Sequence, residues 1–515
     1  MGYELITMGE VILNFMEVIQ YLYEGFQLVL TPETIFFCFV GVFWGTVVGV
    51  LPGIGPMGGL ALLLPLTFKL DSATSIILLA ATFCGTMYGG STTSILLNIP
   101  GEVASIVTCF DGYQMARKGR AGPALMIAGL GSFIGGTLSV VALMLFAPPL
   151  ASIMLKIGPA EETSMLILAL LIMSYVSRGS KLKTMAMILL GMWIATVGLD
   201  PFTGYTRFTF GYTGFTEGIG IVPIAIGLFG ISEIMMNAEN IVNVKVINPT
   251  FKTLIPRWKD IKDSALPIIR GSAIGVVAGF IPGIPHIVST FLSYTVEKKI
   301  SKHPEEFGTG RIEGVAGPES ANNATTGTSL VPLFVLGIPA IPATAFFISA
   351  LLIHGISPGP RFIIDHADVF WALIASMYLA NVMLLILNVP LVGIFVQILR
   401  IPYLYLMPII IVVAICGVYG ANFHSVDLLT MAIFGAIGYI LRKFEFDLGA
   451  LIIGVVLGDK IEMSFRLSLA ISEGSLGIFF RSTFAKIFVV SILILTLLQI
   501  IVWIFGFRQG DRKKI

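Results

Sequence analysis

The sequence predicts an all-α polytopic membrane protein, and three observations carry that expectation. Of 515 residues, 56% are hydrophobic and only 12% charged, against about 25% charged in a soluble globular protein; the mean hydropathy is +0.94. Apolar runs long enough to cross roughly 30 Å of hydrocarbon recur along the whole chain. The run Gly45-Thr-Val-Val-Gly49-Val-Leu-Pro52-Gly53-Ile54 also returns 230 positions later as Gly275-Val-Val-Ala-Gly279-Phe-Ile-Pro282-Gly283-Ile284, with six of ten positions identical. Pro removes a backbone donor and Gly gives up backbone order, so each copy breaks a helix. Two such breaks at corresponding places mark a carrier built from internal repeats, with its site where the helices are interrupted.

In chain order, residues 1–30 read as an amphipathic helix at the membrane interface, because Glu10, Glu17 and Glu24 recur at seven-residue spacing on one face. Residues 31–155 form the first membrane repeat, 156–260 connecting spans and a polar loop, 261–400 the second repeat, and 401–515 the C-terminal spans. Uninterrupted apolar runs fall at 122–147, 159–177, 184–199, 219–236, 370–399, 402–420, 425–441 and 485–507. With the interrupted segments the expected total is about 11 to 13 spans.

Composition also excludes functions. A net charge of +1 offers no field for nucleic acid. Cys38, Cys84, Cys109 and Cys416 lie scattered in apolar segments without ligand spacing and read as small buried residues. The five histidines show no paired spacing, and residues 1–30 lack the basic start of a cleavable signal. No phosphate-cradling loop, metal-ligand set or nucleophile–base spacing is present, so neither an enzyme nor an organic cofactor is expected.

Charge orients the spans. Arg117-Lys118-Gly-Arg120, Arg178/Lys181/Lys183, the Lys245–Lys262 stretch, Arg442-Lys443 and the tail Arg508/Arg512/Lys513/Lys514 are expected on the cytoplasmic side, which places the C-terminus there. The 200–220 loop, rich in Gly, Thr and aromatics, is expected outside. The first repeat then starts outside and the second inside, the signature of inverted topology and alternating access.

Each repeat carries a second segment read as irregular. In the first, Gly85–Ser94 (containing Ser91, Thr92 and Thr93) is followed by Asn98-Ile-Pro100-Gly101-Glu102; in the second, Glu319–Ser329 (containing Asn322, Asn323, Thr325 and Thr326) is followed by Gly337-Ile-Pro339. Small hydroxyl and amide residues before an Ile-Pro describe one helix stopping and another starting. The exposed N–H groups of such a start suit a carboxylate, and unpaired carbonyls with hydroxyls suit a hard cation. Ser91, Thr92, Thr93, Asn98, Pro100, Gly101, Asn322, Asn323, Thr325, Thr326, Gly337 and Pro339 are therefore the candidate substrate residues. Gly53, Gly55, Gly283 and Glu319 are the candidates for cation coupling, with Na+ or H+ as the ion. The competing reading of the small residues is close helix packing. Glu102 either complements a helix dipole or binds, and Asp111 is either a coupling residue or part of a turn.

With these residues in hand, the chain resembles the large membrane subunit of the tripartite tricarboxylate transporters, the TctA family. The resemblance rests on Gly-x3-Gly-x2-Pro-Gly-Ile-Gly-Pro at 45–56, Leu-Leu-Leu-Pro-Leu-Thr-Phe at 62–68 and Met-Tyr-Gly-Gly-Ser-Thr-Thr at 87–93. It continues through Asn98–Glu102, Asp111-Gly-Tyr-Gln-Met-Ala-Arg-Lys-Gly119, Gly317-Pro-Glu-Ser-Ala-Asn-Asn-Ala324 and Leu336-Gly-Ile-Pro339. It implies a cation-driven importer of small organic carboxylates in the cell (inner) membrane, working with a small membrane subunit and an extracytoplasmic solute-binding protein. The alternative is a cation-independent organic-anion channel or exporter of similar architecture. Two departures fall in the second repeat: Pro285-His286 follows the second break, and Ala340 follows Ile-Pro, where the family pattern usually has Gly. His286 is either a pH-sensitive substitute for a backbone site or a packed imidazole.

Overall fold

The computed structural model describes residues 15–51, 54–176, 180–239, 254–284, 286–398 and 403–511. The expectations placed on Glu10, Pro52, Gly53, Arg178, Lys245, Lys252, Pro285 and the Arg512-Lys513-Lys514 end lie outside the described residues. The architecture is that of an all-α polytopic membrane protein. Seven described helices are long and apolar enough to cross a bilayer. The sequence predicts more spans than these seven: the interrupted segments form helices too short to cross alone, Trp258–Gly279 and Leu448–Ile471 carry several charges each, and the apolar helices Tyr403–Asn422 and Thr483–Asp511 are described only in part. A small hairpin pairs β1 (Gly198–Leu199) antiparallel with β2 (Thr206–Arg207).

The chain forms two compact units, one running to Ser152 and resuming over Gly220–Lys443, the other comprising Ile153–Ile219 and the chain from Phe444. In the first unit, α1 (Phe15–Val29) precedes α2 (Pro32–Val50). Thr31 starts α2 by accepting the Thr34 N–H at 3.3 Å, with Pro32 at the first helical position. After the first break come α3 (Gly55–Leu63) and α4 (Ser72–Leu97), the latter capped by Asp71, which accepts the Thr74 N–H at 3.0 Å. Then follow α5 (Ala121–Met154), α6 (Ile221–Glu239), α7 (Trp258–Gly279), α8 (His286–Ile300), α9 (Glu313–Thr328), α10 (Leu330–Leu336), α11 (Ala345–Ile353) and α12 (Ala367–Asn388). The N-terminal α1 lies along α12, with Tyr21 stacked on Trp371 at a centroid distance of 5.6 Å.

Two helix pairs organise this unit, and they match. A Cβ on Gly45 of α2 would overlap the Thr82 carbonyl of α4; a Cβ on Gly275 of α7 would overlap the Ala321 carbonyl of α9. Glycine at these positions is what lets the two backbones touch. The ends match too. Asn98 closes α4 at φ 59, ψ 30, and Gly337 closes α10 at φ 66, ψ 28, both left-handed. The next turn repeats its hydrogen bonds: Ser105 Oγ donates to the Glu102 carbonyl, and Thr344 Oγ1 to that of Ile341, each at 2.8 Å.

The polar clusters differ from the sequence reading. Gly85–Ser94 lies inside α4, and Glu319–Thr328 lies inside α9, both continuous helices. Their hydroxyls fold back onto their own helices: Thr86 Oγ1 donates to the Phe83 carbonyl at 2.7 Å and Thr326 Oγ1 to the Asn322 carbonyl at 2.9 Å. Hydroxyls that can be satisfied in place need no break. The interruptions come later, at Asn98–Gly101 and Gly337–Ala340. Cys38, Cys84 and Cys109 are buried, but Cys416 is exposed on an apolar helix face rather than packed inside.

In the second unit, helices Pro159–Val176, Lys181–Ala195, Leu448–Ile471 and Thr483–Asp511 pack together. Asp200, beyond β1, accepts from Nη1 of Arg466 with both carboxylate oxygens, each at 3.0 Å. Arg207 of β2 pairs with Glu462 at 2.7 Å.

Candidate functional site

Helix α9 has almost no lipid-facing surface: it is buried from Gly314 to Thr328 although it contains Glu319, Asn322 and Asn323. Such residues are expensive in a bilayer unless partnered. Glu319, 1% exposed, is met from the other half of the unit. Ser91 of α4 donates to its Oε2 at 2.5 Å, Ser132 of α5 to the same oxygen at 3.4 Å, and Thr108 to Oε1. Asn323 Nδ2 holds Ser132 from behind, donating to its Oγ at 2.8 Å.

One helical turn away the traffic reverses. Asn322 Nδ2 donates to Oε1 of Glu102, which lies in the turn after the first interruption, at 2.9 Å. The other Glu102 oxygen accepts the Ala104 N–H at 2.6 Å, so the carboxylate caps its own helix start. Each half thus lends one carboxylate to donors of the other. Neither Glu102 nor Glu319 forms an ion pair with Lys or Arg among the described residues. The Oδ1 of Asn322 is buried and has no donor.

A small pocket opens beside this network, lined by Tyr88, Ser91 and Thr92 of α4, Ser132 with apolar neighbours of α5, and Asn388 of α12. Asn388 Nδ2 donates to Thr46 Oγ1 at 3.3 Å and to the Leu384 carbonyl at 3.0 Å, leaving its Oδ1 unpartnered.

The structure brings Ser91, Asn322, Asn323 and Glu319 into one network and puts Ser91 and Thr92 at the pocket. Thr93, Thr325 and Thr326 each donate to a carbonyl of their own helix. Asn98, Pro100 and Gly101 form the first interruption, with Gly101 pressed against the Gly49 carbonyl and Gly90. Gly337 and Pro339 form the second. Gly283 joins that second interruption, its N–H donating to the Ala340 carbonyl at 2.8 Å. Gly55 stands apart at φ +63 with no neighbour around its missing Cβ. Glu319 therefore finds its partners among hydroxyls, and the described glycines of the breaks are not among them.

Thr108, Ser132, Tyr88 and Asn388 were missed in the sequence. Tyr88 stands inside the Gly85–Ser94 cluster and Thr108 between Ser105 and Asp111, where nothing local singles them out, whereas Asn388 is a lone amide in an apolar run, and that cost was the available signal. Asp111 lies in a π-helical turn and accepts the N–H groups of Gly308 at 2.9 Å, Gly310 at 2.7 Å and Arg311 at 2.7 Å, with the Tyr294 hydroxyl at 2.9 Å. It anchors the loop ahead of α9. His286 is buried at the start of α8 against Phe83, ring centroids 5.9 Å apart, and its Nε2 has no partner.

The model of the tripartite tricarboxylate transporter TctA family matches residues 35–453. An uncharacterised 52.8 kDa protein from the TAR-I ttuC' 3' region of Agrobacterium vitis is 44% identical over 500 residues, 97% of this chain and 99% of that protein. A second A. vitis protein, uncharacterised and from the TAR-II ttuC' 3' region, is 44% identical over 211 residues, 41% of this chain and 87% of its own length. No solved structure matches. Helices built to span a bilayer, a buried polar network joining α4, α5, α9 and the turn at Glu102, and a family match over most of the length agree: this multi-pass membrane chain belongs to the tripartite tricarboxylate transporter TctA family.

Proposed function

We propose that this chain is the large transmembrane subunit of a secondary active importer for organic carboxylates of the tri- and dicarboxylate class, coupled to Na+ or H+. It works with a small membrane subunit and an extracytoplasmic solute-binding protein in the cell (inner) membrane. The observation that carries the reading is the pair Glu102 and Glu319. Two carboxylates buried between the halves, tied by hydroxyl and amide donors and by no described Lys or Arg, leave negative charge to be neutralised by an ion that comes and goes. The substrate's own charge sharpens the need, because an anion entering this region must arrive with cations.

The matched helix pairs, interruptions and restart turns support two repeats, and the distribution of Lys and Arg supports their crossing the bilayer in opposite senses, with the C-terminus cytoplasmic. The two restarts differ in chemistry. Glu102 caps the first with its own carboxylate, whereas Ile341 occupies the matching place in the second. A substrate carboxylate is therefore assigned to the second start, near Gly337 and Pro339.

The test is uptake into proteoliposomes holding all three components, screened over di- and tricarboxylates with Na+ and proton gradients imposed separately. Accumulation should follow at least one gradient, and by linkage the substrate and the ion should raise each other's affinity equally. Unchanged accumulation after both gradients are dissipated would return the chain to the channel or exporter alternative.

A further inference from the structure

We infer that the Glu319 carboxylate and the hydroxyls of Ser91, Thr108 and Ser132 form a dehydrated binding site for one Na+ ion, entered through the pocket that Ser91 and Ser132 also line. The inference rests on the cation-coupled reading above and assigns that reading an ion and a place.

Geometry supplies the donor set. Ser91 and Ser132 converge on one oxygen of Glu319 and Thr108 on the other, so four oxygen-bearing side chains from α4, α5, α9 and the Ile106–Thr108 turn gather around one carboxylate. Oxygen ligands suit hard cations. One carboxylate among neutral hydroxyls carries a single negative charge, which balances a monovalent ion; a divalent ion would leave a net positive charge buried here. All four side chains are at least 96% buried, so a bound ion exchanges its water for these oxygens.

The hydrogen bonds also favour an ion over a proton. Three hydroxyls donate to Glu319, which suits the acceptor-only carboxylate; a protonated carboxyl would bring its own O–H and displace one of them. Ser91 has a second acceptor within reach, the Met87 carbonyl at 3.3 Å, so it can turn its proton away and present a lone pair to the ion. Asn323 fixes Ser132 by donating to it, which keeps that oxygen in place.

The pocket gives the route. Its walls include Ser91 and Ser132, the same hydroxyls that face Glu319, and it carries the buried, unpartnered Oδ1 of Asn388. Its cavity volume of about 10 Å³ is roughly the room one water needs and far below the roughly 300–1,000 Å³ of small-molecule sites. That size admits a cation stripped of its waters and not a tricarboxylate. The pseudo-equivalent place in the first repeat has no such chemistry: Ala80 stands in α4 where Glu319 stands in α9. One ion site is expected from this cluster, not two.

The test uses the full chain in detergent or nanodiscs, without substrate or partners, at fixed pH and constant ionic strength. Thermal unfolding is followed while NaCl replaces choline chloride, with KCl run in parallel. Na+ should raise the midpoint saturably. Thr108→Val and Ser132→Ala should weaken the apparent Na+ affinity at least tenfold with choline midpoints near wild type, and Glu319→Gln should abolish the shift. Ser349→Ala, which removes a buried hydroxyl bonded only to its own helix, should leave the Na+ response unchanged. Absence of a shift in folded wild type, an equal shift with K+, or a response unaltered in both hydroxyl variants would overturn the site. None of these outcomes depends on uptake, so a proton-coupled importer would lose this site and keep its function.

Discussion

Asn322 of α9 donates its side-chain amide to the Glu102 carboxylate across the interface between the two halves, at 2.9 Å. This single bond joins the turn after the first interruption to the polar helix of the second half. Both residues are buried, so neither can fall back on water. Replacing Asn322 with Leu leaves the Glu102 oxygen without its donor, at a cost of about 1–3 kcal/mol. The variant should still reach the membrane, unfold several degrees lower in detergent, and lose uptake. Asn322→Asp should be worse on both counts, because it faces one carboxylate with another. Wild-type uptake by both variants would return the residue to a packing role.

A second prediction concerns the close helix pairs. Gly275→Ala puts a methyl group into the Ala321 carbonyl and beside the Ala324 methyl. Overpacking of that kind costs about 1–3 kcal/mol. Gly420 also lies in a helix, but nothing surrounds its missing Cβ, so Gly420→Ala should be neutral or stabilise by up to about 1 kcal/mol. Thermal unfolding of the two purified variants side by side checks the contrast.

These two cases show what was legible in the sequence. The two Ile-Pro pairs are local patterns and marked both interruptions, whereas the repeated Gly-x3-Gly spacing, read only as part of the helix breaks, also brings the paired helices into contact. The polar clusters around Ser91 and Asn322 were also visible, but their backbone was misread. Gly, Ser and Thr weaken a helix in water, whereas in a buried helix their hydroxyls bond the preceding turn and their small size lets a neighbour approach. The partners of Glu319 were illegible for a different reason. Ser91 is 228 positions from it and Thr108 is 211, and no local spacing encodes a meeting between residues so far apart. Only the cost of an isolated hydroxyl or amide in an apolar run, as at Ser132 and Asn388, hinted at a use.

A third prediction lies outside the membrane-spanning segments. Asp200 is held at a pKa of about 2, chiefly by the Phe202 N–H, with Arg466 and the Thr203 N–H adding to it. Its unfolded value is about 3.9. A depressed carboxylate contributes stability in full above the unfolded value and loses it as pH falls through the folded one. The 198–219 hairpin loop should therefore keep its protection against hydrogen exchange from neutral pH down to about pH 4 and lose it towards pH 2. Asp200→Asn should raise exchange in this loop already at pH 7. A pH-independent profile in wild type would remove Asp200 as its anchor.

The last prediction concerns Asp111, which ties residues 308–311 to the first half through three N–H donors and the Tyr294 hydroxyl. Asp111→Ala strands four donors at once, three of them backbone groups that have no rotamer to escape by. Bonds to a charged acceptor contribute about 1.5–3 kcal/mol each, and they share one acceptor, so the loss is several kcal/mol and less than their sum. Asp111→Asn keeps one accepting oxygen but turns an amide donor towards backbone donors, so it should fall between Ala and wild type. Tyr294→Phe removes one donor and leaves the carboxylate its three N–H groups; it should cost about 1 kcal/mol. Cleavage after Arg311 by trypsin reads the loop directly. The rate should rise in the order wild type, Tyr294→Phe, Asp111→Asn, Asp111→Ala, and equal rates in all four would show that the loop is held by something other than this carboxylate.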